Sequence, residues 1–258
     1  MPTLDRNGVR IHYDVAGHGP VILLTHGFSA TGEMWQGQVA ALKDRFTVVT
    51  WDMRGHGRSD YPADQGAYSE QATVADMAAL LDTVGAERAV IGGLSLGGYM
   101  SLAFHRAHPE RTRALLIIDT GPGYRNDQAR QGWNANAIQR AERYESEGLP
   151  DLSRGSAEVR AARHRDATGL ARAARGMLTQ RDARVIESLP HIGVPAIVIV
   201  GENDTPFLAA SEYMAAKIPG AKKAVIPNAG HAANIDNPAA FNAALTSFLD
   251  AARLFEPA

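Results

Sequence analysis

The sequence predicts one large α/β domain on a mostly parallel, doubly wound sheet with a helical insertion. Three observations point there. Short unbroken apolar runs recur along the chain, helix-like segments alternate with them, and an arginine-rich stretch at 121–188 interrupts the alternation. Unbroken Val/Ile/Leu runs mark strands buried on both faces, as in parallel pairing. Strand–helix alternation implies right-handed crossovers and helices on both faces of the sheet.

Taken in order, Asn7-Gly8 signals a hairpin turn and Val9–Val15 follows as its second strand. The buried runs are Val21–Thr25, Thr47–Asp52, Ala89–Gly92, Ala114–Asp119 and Ala196–Gly201, with a weaker one at Lys223–Ile226. With the hairpin these make eight strands. Ser69 to Val84 reads as a helix capped by Ser69, with Val74, Met77, Leu80, Leu81 and Val84 on one face. Leu96 to His108 stops before Pro109, and Ser211 to Ile218 stops before Pro219. Pro238 to Ala252 opens with Pro in its first turn, where Asp236 is the expected cap.

No strand is legible from about Gly121 to Ser188. That region reads as amphipathic helices interrupted by Gly148-Leu149-Pro150 and Gly169. The expected division is therefore a core of residues 1–120 and 189–258 and a helical cap at 121–188. Ligands of such sheets bind beyond the carboxyl ends of the strands, where an insertion can form a lid.

Composition narrows the chemistry. With 258 residues, 45% hydrophobic and 21% charged, the chain has room for a sizeable core. A net charge of −2 gives no reason to expect a nucleic-acid or anionic-membrane partner. Without cysteine, disulfides, thiolate metal sites and cysteine nucleophiles are excluded. The N-terminus lacks a basic and an apolar region, and no apolar run is long enough to span a bilayer, so cytoplasm is the expected setting.

Gly93-Leu94-Ser95-Leu96-Gly97-Gly98 follows a strand run and opens a helix, the context that makes a G-x-S-x-G pattern a nucleophile elbow. A serine hydroxyl needs a base, itself held by a third group. His231, after the last strand run and before the C-terminal helix, has the position of that base. His105, His108, His164 and His191 do not. Two acids stand at strand ends: Asp204 in Gly-Glu-Asn-Asp-Thr-Pro, and Asp119. Asp204 is preferred because its strand lies nearer in order to His231, and Glu202 comes too early in the same loop. Two backbone N–H groups must face the developing oxyanion. Leu96 offers one. Phe28 offers the other in His26-Gly27-Phe28-Ser29, whose histidine reads as a structural hydrogen-bonding residue.

Together these segments resemble the α/β-hydrolase superfamily over nearly the whole chain outside the insertion. His26-Gly27-Phe28 is similar to its oxyanion loop, and Asp52-Met53-Arg54-Gly55-His56-Gly57-Arg58-Ser59 to its D-x-R-G-x-G-x-S stretch. Gly201-Glu202-Asn203-Asp204 and Gly230-His231 are similar to its acid and base loops. The resemblance implies that Asp52 to Ser59 shapes the turn leaving its strand. Serine at the elbow disfavours the haloalkane dehalogenases and epoxide hydrolases of this fold, which place aspartate there. Leu94 and Met34-Trp35 look more like carboxylesterases and 3-oxoadipate enol-lactonases, and Leu94 departs from the Asn common in carbon–carbon bond hydrolases.

The expected function is hydrolysis of a small carboxylic ester or lactone through an acyl-enzyme on Ser95, with no metal or organic cofactor. Phe28, Trp133 and Phe207 are candidate pocket walls. Arginines of the insertion would suit a substrate carboxylate, but a solvated helix face is the preferred reading of them. Carbon–carbon hydrolysis, lyase or perhydrolase chemistry on the same triad stays open. So does a ligand-binding protein of the same fold with little turnover.

Overall fold

A computed structural model describes residues 2–149 and 151–255. Eight strands form one sheet: β1 (Thr3–Asp5), β2 (Arg10–Gly17), β3 (Val21–Thr25), β4 (Thr47–Trp51), β5 (Ala89–Leu94), β6 (Thr112–Ile118), β7 (Ala196–Gly201) and β8 (Lys222–Ile226). Their spatial order is β1-β2-β4-β3-β5-β6-β7-β8. The first two strands pair antiparallel with their neighbours and the remainder run parallel. Asn7 (φ 57°) and Gly8 (φ 83°) both adopt positive φ, as a tight hairpin turn requires.

Helices cover both faces. On one side α2 (Glu70–Thr83), α3 (Leu96–Ala107) and α8 (Thr205–Lys217) bury Val74, Met77, Leu80, Leu81, Met100, Phe104 and Met214 against Leu23, Ile91 and Leu115. On the other, α1 (Gln36–Leu42), the short α9 (Ala233–Asp236) and α10 (Pro238–Ala251) bury Leu42, Ala233, Phe241, Leu245 and Leu249 against Ile22, Val90 and Leu116. Adjacent strand residues thus feed two separate cores, as period-2 geometry demands of a sheet covered twice.

Several boundaries differ from the sequence expectation. Helix α8 begins at Thr205, six residues before the expected start, because Pro206 occupies a first-turn position that needs no N–H donor. Helix α1 was not expected. Asp236 does not cap α10: Asn237 does, its side chain accepting the Ala240 N–H, while Asp236 accepts the Gly230 N–H. Ser69 caps α2 as expected, accepting from Ala72.

Between β6 and β7 the described residues hold no strand. They form α4 (Asp127–Glu147), α5 (Ala157–Ala161), α6 (Ala167–Ala173) with a π-helical continuation over Ala174–Leu178, and α7 (Arg184–Ser188). Gly148, at φ 78°, ends α4. Gly169 does not interrupt a helix but lies inside α6, where a side chain would strike Gly55 and Tyr61. Pro150 lies outside the described residues. No helix among the described residues is long and apolar enough to cross a membrane.

Candidate active site

The turn between β5 and α3 is forced by packing. A side chain on Gly93 would meet Gly97 and Thr25 backbone, and one on Gly97 would meet the carbonyls of Thr25 and His26. Strand and helix therefore approach at a distance only glycine allows. Between them Ser95 takes φ 55°, ψ −117°, a conformation costing about 1–3 kcal/mol in a non-glycine residue. Two hydrogen bonds hold it there: the Ser95 N–H donates to Ile118 O (2.9 Å), and Thr120 Oγ1 donates to Ser95 O (2.7 Å).

His231 lies after β8, and its Nδ1 stands 2.9 Å from Asp204 Oδ2. Asp204 is buried, so water competes weakly for this bond. With Nδ1–H donating to Asp204, Nε2 is left as the basic nitrogen. Phe207, in the first turn of α8, stacks on the imidazole at 5.2 Å and 24°. Ser95 and His231 line one cavity without a direct hydrogen bond between them.

Asp119, the other expected candidate for the acid, lies against Asp204 and makes no bond to His231. It is fully buried just past β6 at φ 44°, and its Oδ1 accepts the Gly201 N–H at 2.7 Å. Burial, reinforced by the neighbouring Asp204 carboxylate, pushes its pKa up to about 9, so it is protonated at neutral pH. Glu202 points elsewhere, accepting the Asn228 N–H.

The loop after β3 faces the elbow. His26 is buried: its Nδ1–H donates to Gly27 O (2.7 Å), and Nε2 accepts the Met53 N–H (2.9 Å). Desolvation lowers its pKa to about 4, which keeps it neutral and able to accept. The expected structural role for this histidine is thus visible. No other described residue takes the N–H of Phe28 or of Leu96. The segment after β4 braces this loop: Asp52 accepts the Gly32 and Arg58 N–H groups, and Arg54 makes two bonds to buried Asp76 on α2.

The three expected wall residues come together around Ser95. Trp133 and Phe207 border both compartments of the cavity, and Phe28 borders the wider one. Sequence reasoning missed others: Tyr99, Leu178 and Gln180 in the narrow compartment, and Arg140, Arg143, Tyr144 and Glu158 in the wide one. Most of these lie on the segment between β6 and β7, whose motif-free sequence carries no signal beyond its arginine content.

A strand-borne serine turn, a histidine–aspartate pair and N–H groups without partners thus meet at the carboxyl end of one α/β sheet. The model of the alpha/beta hydrolase family matches residues 21–244, and the chain belongs to that family. Hydrolysis is the general activity this membership supports. The chain is 28% identical over 266 residues to 3-oxoadipate enol-lactonase 1 of Acinetobacter baylyi, covering 95% of each. Among solved structures it is similar to the enol-lactonase from Burkholderia xenovorans LB400, at TM-score 0.78 and 27% identity over 96% of this chain and all of that one. It is also similar to a thermophilic esterase from Thermogutta terrifontis, at TM-score 0.81 and 28% identity over 97% of both.

Proposed function

We propose that this protein hydrolyses a small carboxylic ester or lactone through an acyl-enzyme on Ser95. The carrying observation is a strained serine on the floor of a cavity that also receives His231, itself held by buried Asp204. The enol-lactonase and esterase similarities support the substrate class.

In the first half-reaction His231 Nε2 takes the Ser95 proton as Oγ bonds to the carbonyl carbon. The carbonyl oxygen becomes an oxyanion that accepts the Phe28 and Leu96 N–H groups. The carbon–oxygen bond to the leaving group then breaks, and His231 returns its proton to that oxygen. In a lactone the released hydroxyl stays tethered to the acyl chain. Water next attacks the acyl carbon, His231 takes its proton, and the proton returns to Ser95 Oγ as the acid departs. Residues 121–188 serve as a cap over a core of 1–120 and 189–258, because α4 and the π-helical stretch supply walls to the cavity above Ser95.

A fluorophosphonate probe tests the reading. Wild-type protein is expected to take the label at Ser95 and to hydrolyse members of a panel of p-nitrophenyl esters and lactones. Ser95→Ala is expected to lose both. An unlabelled Ser95, or full activity in Ser95→Ala, overturns the reading.

A further inference from the structure

On the serine-hydrolase reading above, on which this inference rests, the Phe28 N–H is one of the two oxyanion donors. Phe28 sits in a tight turn from Gly27 to Ala30, closed by the Ala30 N–H donating to Gly27 O (3.1 Å). The third residue of that turn, Ser29, takes φ 63°. Turns with positive φ there favour glycine or asparagine, because a Cβ crowds the neighbouring carbonyl oxygen. Serine at this position is strained.

Two side chains hold Ser29, and both come from the segment between β6 and β7. Its Oγ shares a hydrogen bond with the Tyr144 hydroxyl on α4 (2.9 Å), and its carbonyl accepts from His164 Nε2 (2.9 Å). The same segment closes over Phe28. The Tyr144 ring stands 6.1 Å from the Phe28 ring, and the Arg140 guanidinium lies over that ring at 5.5 Å. Phe28 and Ser29 are both buried.

His164 is itself fixed. The Gly57 N–H donates to its Nδ1 (3.2 Å), and its ring meets His56 edge-on at 5.8 Å. A backbone N–H can only donate and a carbonyl can only accept, so the imidazole is neutral with its proton on Nε2. Burial favours that neutral form. His164 therefore bridges two loops of the core, accepting from the turn after β4 and donating to the turn after β3. A strained residue persists only where its surroundings over-determine it. Here the two side chains that hold it lie 115 and 135 positions away in the chain.

We infer that His164 is a positioning residue: it holds Ser29 at positive φ and so keeps the Phe28 N–H turned to the oxyanion. The segment between β6 and β7 then completes the oxyanion hole as well as lining the cavity.

Variants that separate the two bonds of the imidazole test this. In His164→Asn the amide oxygen replaces Nδ1 as acceptor for Gly57, but the shorter side chain brings no donor to Ser29. In His164→Gln the amide N–H reaches the Nε2 position. On a p-nitrophenyl ester His164→Asn is expected to lower kcat about tenfold with KM changed less than about twofold, because the oxyanion exists only beyond the ground state. His164→Gln is expected to recover most of that loss. In a Ser29→Gly background, where glycine takes φ 63° freely, the effect of His164→Asn is expected to shrink below about threefold. A second comparison leaves His164 in place. Ser29→Ala and Ser29→Gly both lose the hydroxyl, but only glycine relieves the strain, so its kcat is expected to exceed that of Ser29→Ala by about threefold or more. Thermal melts check that each variant is folded; if His164→Asn is not, the Ser29 pair decides. An unchanged kcat in His164→Asn, a loss carried by KM, an equal loss in the Ser29→Gly background, or Ser29→Ala matching Ser29→Gly overturns the assignment to His164. Absence of fluorophosphonate label on Ser95 in wild type instead overturns the serine-hydrolase reading beneath it.

Discussion

Two carboxyl groups beside one histidine loop have different surroundings. Asp204 bonds to His231, whereas Asp119 is held protonated by burial. Asp204→Asn is expected to lower kcat on a p-nitrophenyl ester by about 10³-fold or more, since an amide neither fixes the tautomer nor offsets the imidazolium charge. Asp119→Asn, which mimics a neutral acid, is expected to keep most of the activity. The reverse pattern would make Asp119 the orienting acid. A pH effect follows as well. An unfolded aspartate loses its proton near pH 4, but Asp119 keeps its own up to about 9, so in between the native state binds the additional proton. Native stability therefore falls as pH rises through that window. The melting temperature of Asp119→Asn is expected to fall less than that of wild type between pH 5 and 9. Ser95, His231 and Asp204 were all nameable from local pattern: a glycine-flanked serine after an apolar run, then strand-end loops in order. The protonation state of Asp119 was not, because it arises from burial and from Asp204, 85 positions away in the chain.

At the scale of elements, the elbow and the loop facing it depend on contacts from distant segments. Gly97→Ala places a methyl group against the carbonyls of Thr25 and His26. It is expected to destabilise the fold by about 3 kcal/mol, seen as a melting temperature lowered by roughly 6–12 °C. The loop after β3 is also held by the segment between β6 and β7. Ser29, at φ 63°, bonds through its hydroxyl to Tyr144 (2.9 Å) and through its carbonyl to His164 Nε2 (2.9 Å). Both partners lie between β6 and β7. Tyr144→Phe removes one of these bonds and is expected to lower kcat by about three- to tenfold, the worth of a single hydrogen bond of about 1 kcal/mol. An unchanged kcat would show that the loop keeps its position without it. Strands and most helices were legible because each buries an unbroken run or a one-sided stripe. Helix α1 was not, since only Gln38 and Leu42 of its seven residues are buried and its apolar spacing is sparse. The six residues missed at the start of α8 follow from reading Thr205-Pro206 as a loop, when Pro in a first turn is equally a helix opening.

Across the whole molecule, three histidines tie the sheet, the β4 turn and the helical segment together. His26 and His56 lie 4.9 Å apart, and His56 and His164 5.8 Å. Burial holds all three below the usual histidine pKa, His26 at about 4. Unfolded, they would take protons near pH 6.5, so below that value the unfolded state binds more protons and stability falls as pH falls. Up to three protons are involved, a slope approaching about 4 kcal/mol per pH unit. Denaturant melts at pH 7 and pH 5 are expected to show this loss, and His56→Gln is expected to reduce it; an acid limb unchanged in that variant would place the sensitivity elsewhere. Fold class, strand succession and the order of serine, acid and histidine were readable from the chain alone, because runs, caps and glycine turns act over a few neighbouring residues. Only the folded arrangement settled that Asp119 is buried against Asp204 and which N–H groups near the elbow are left without partners. Each of those depends on desolvation and on partners far off in the chain, and neither leaves a periodic trace in the sequence.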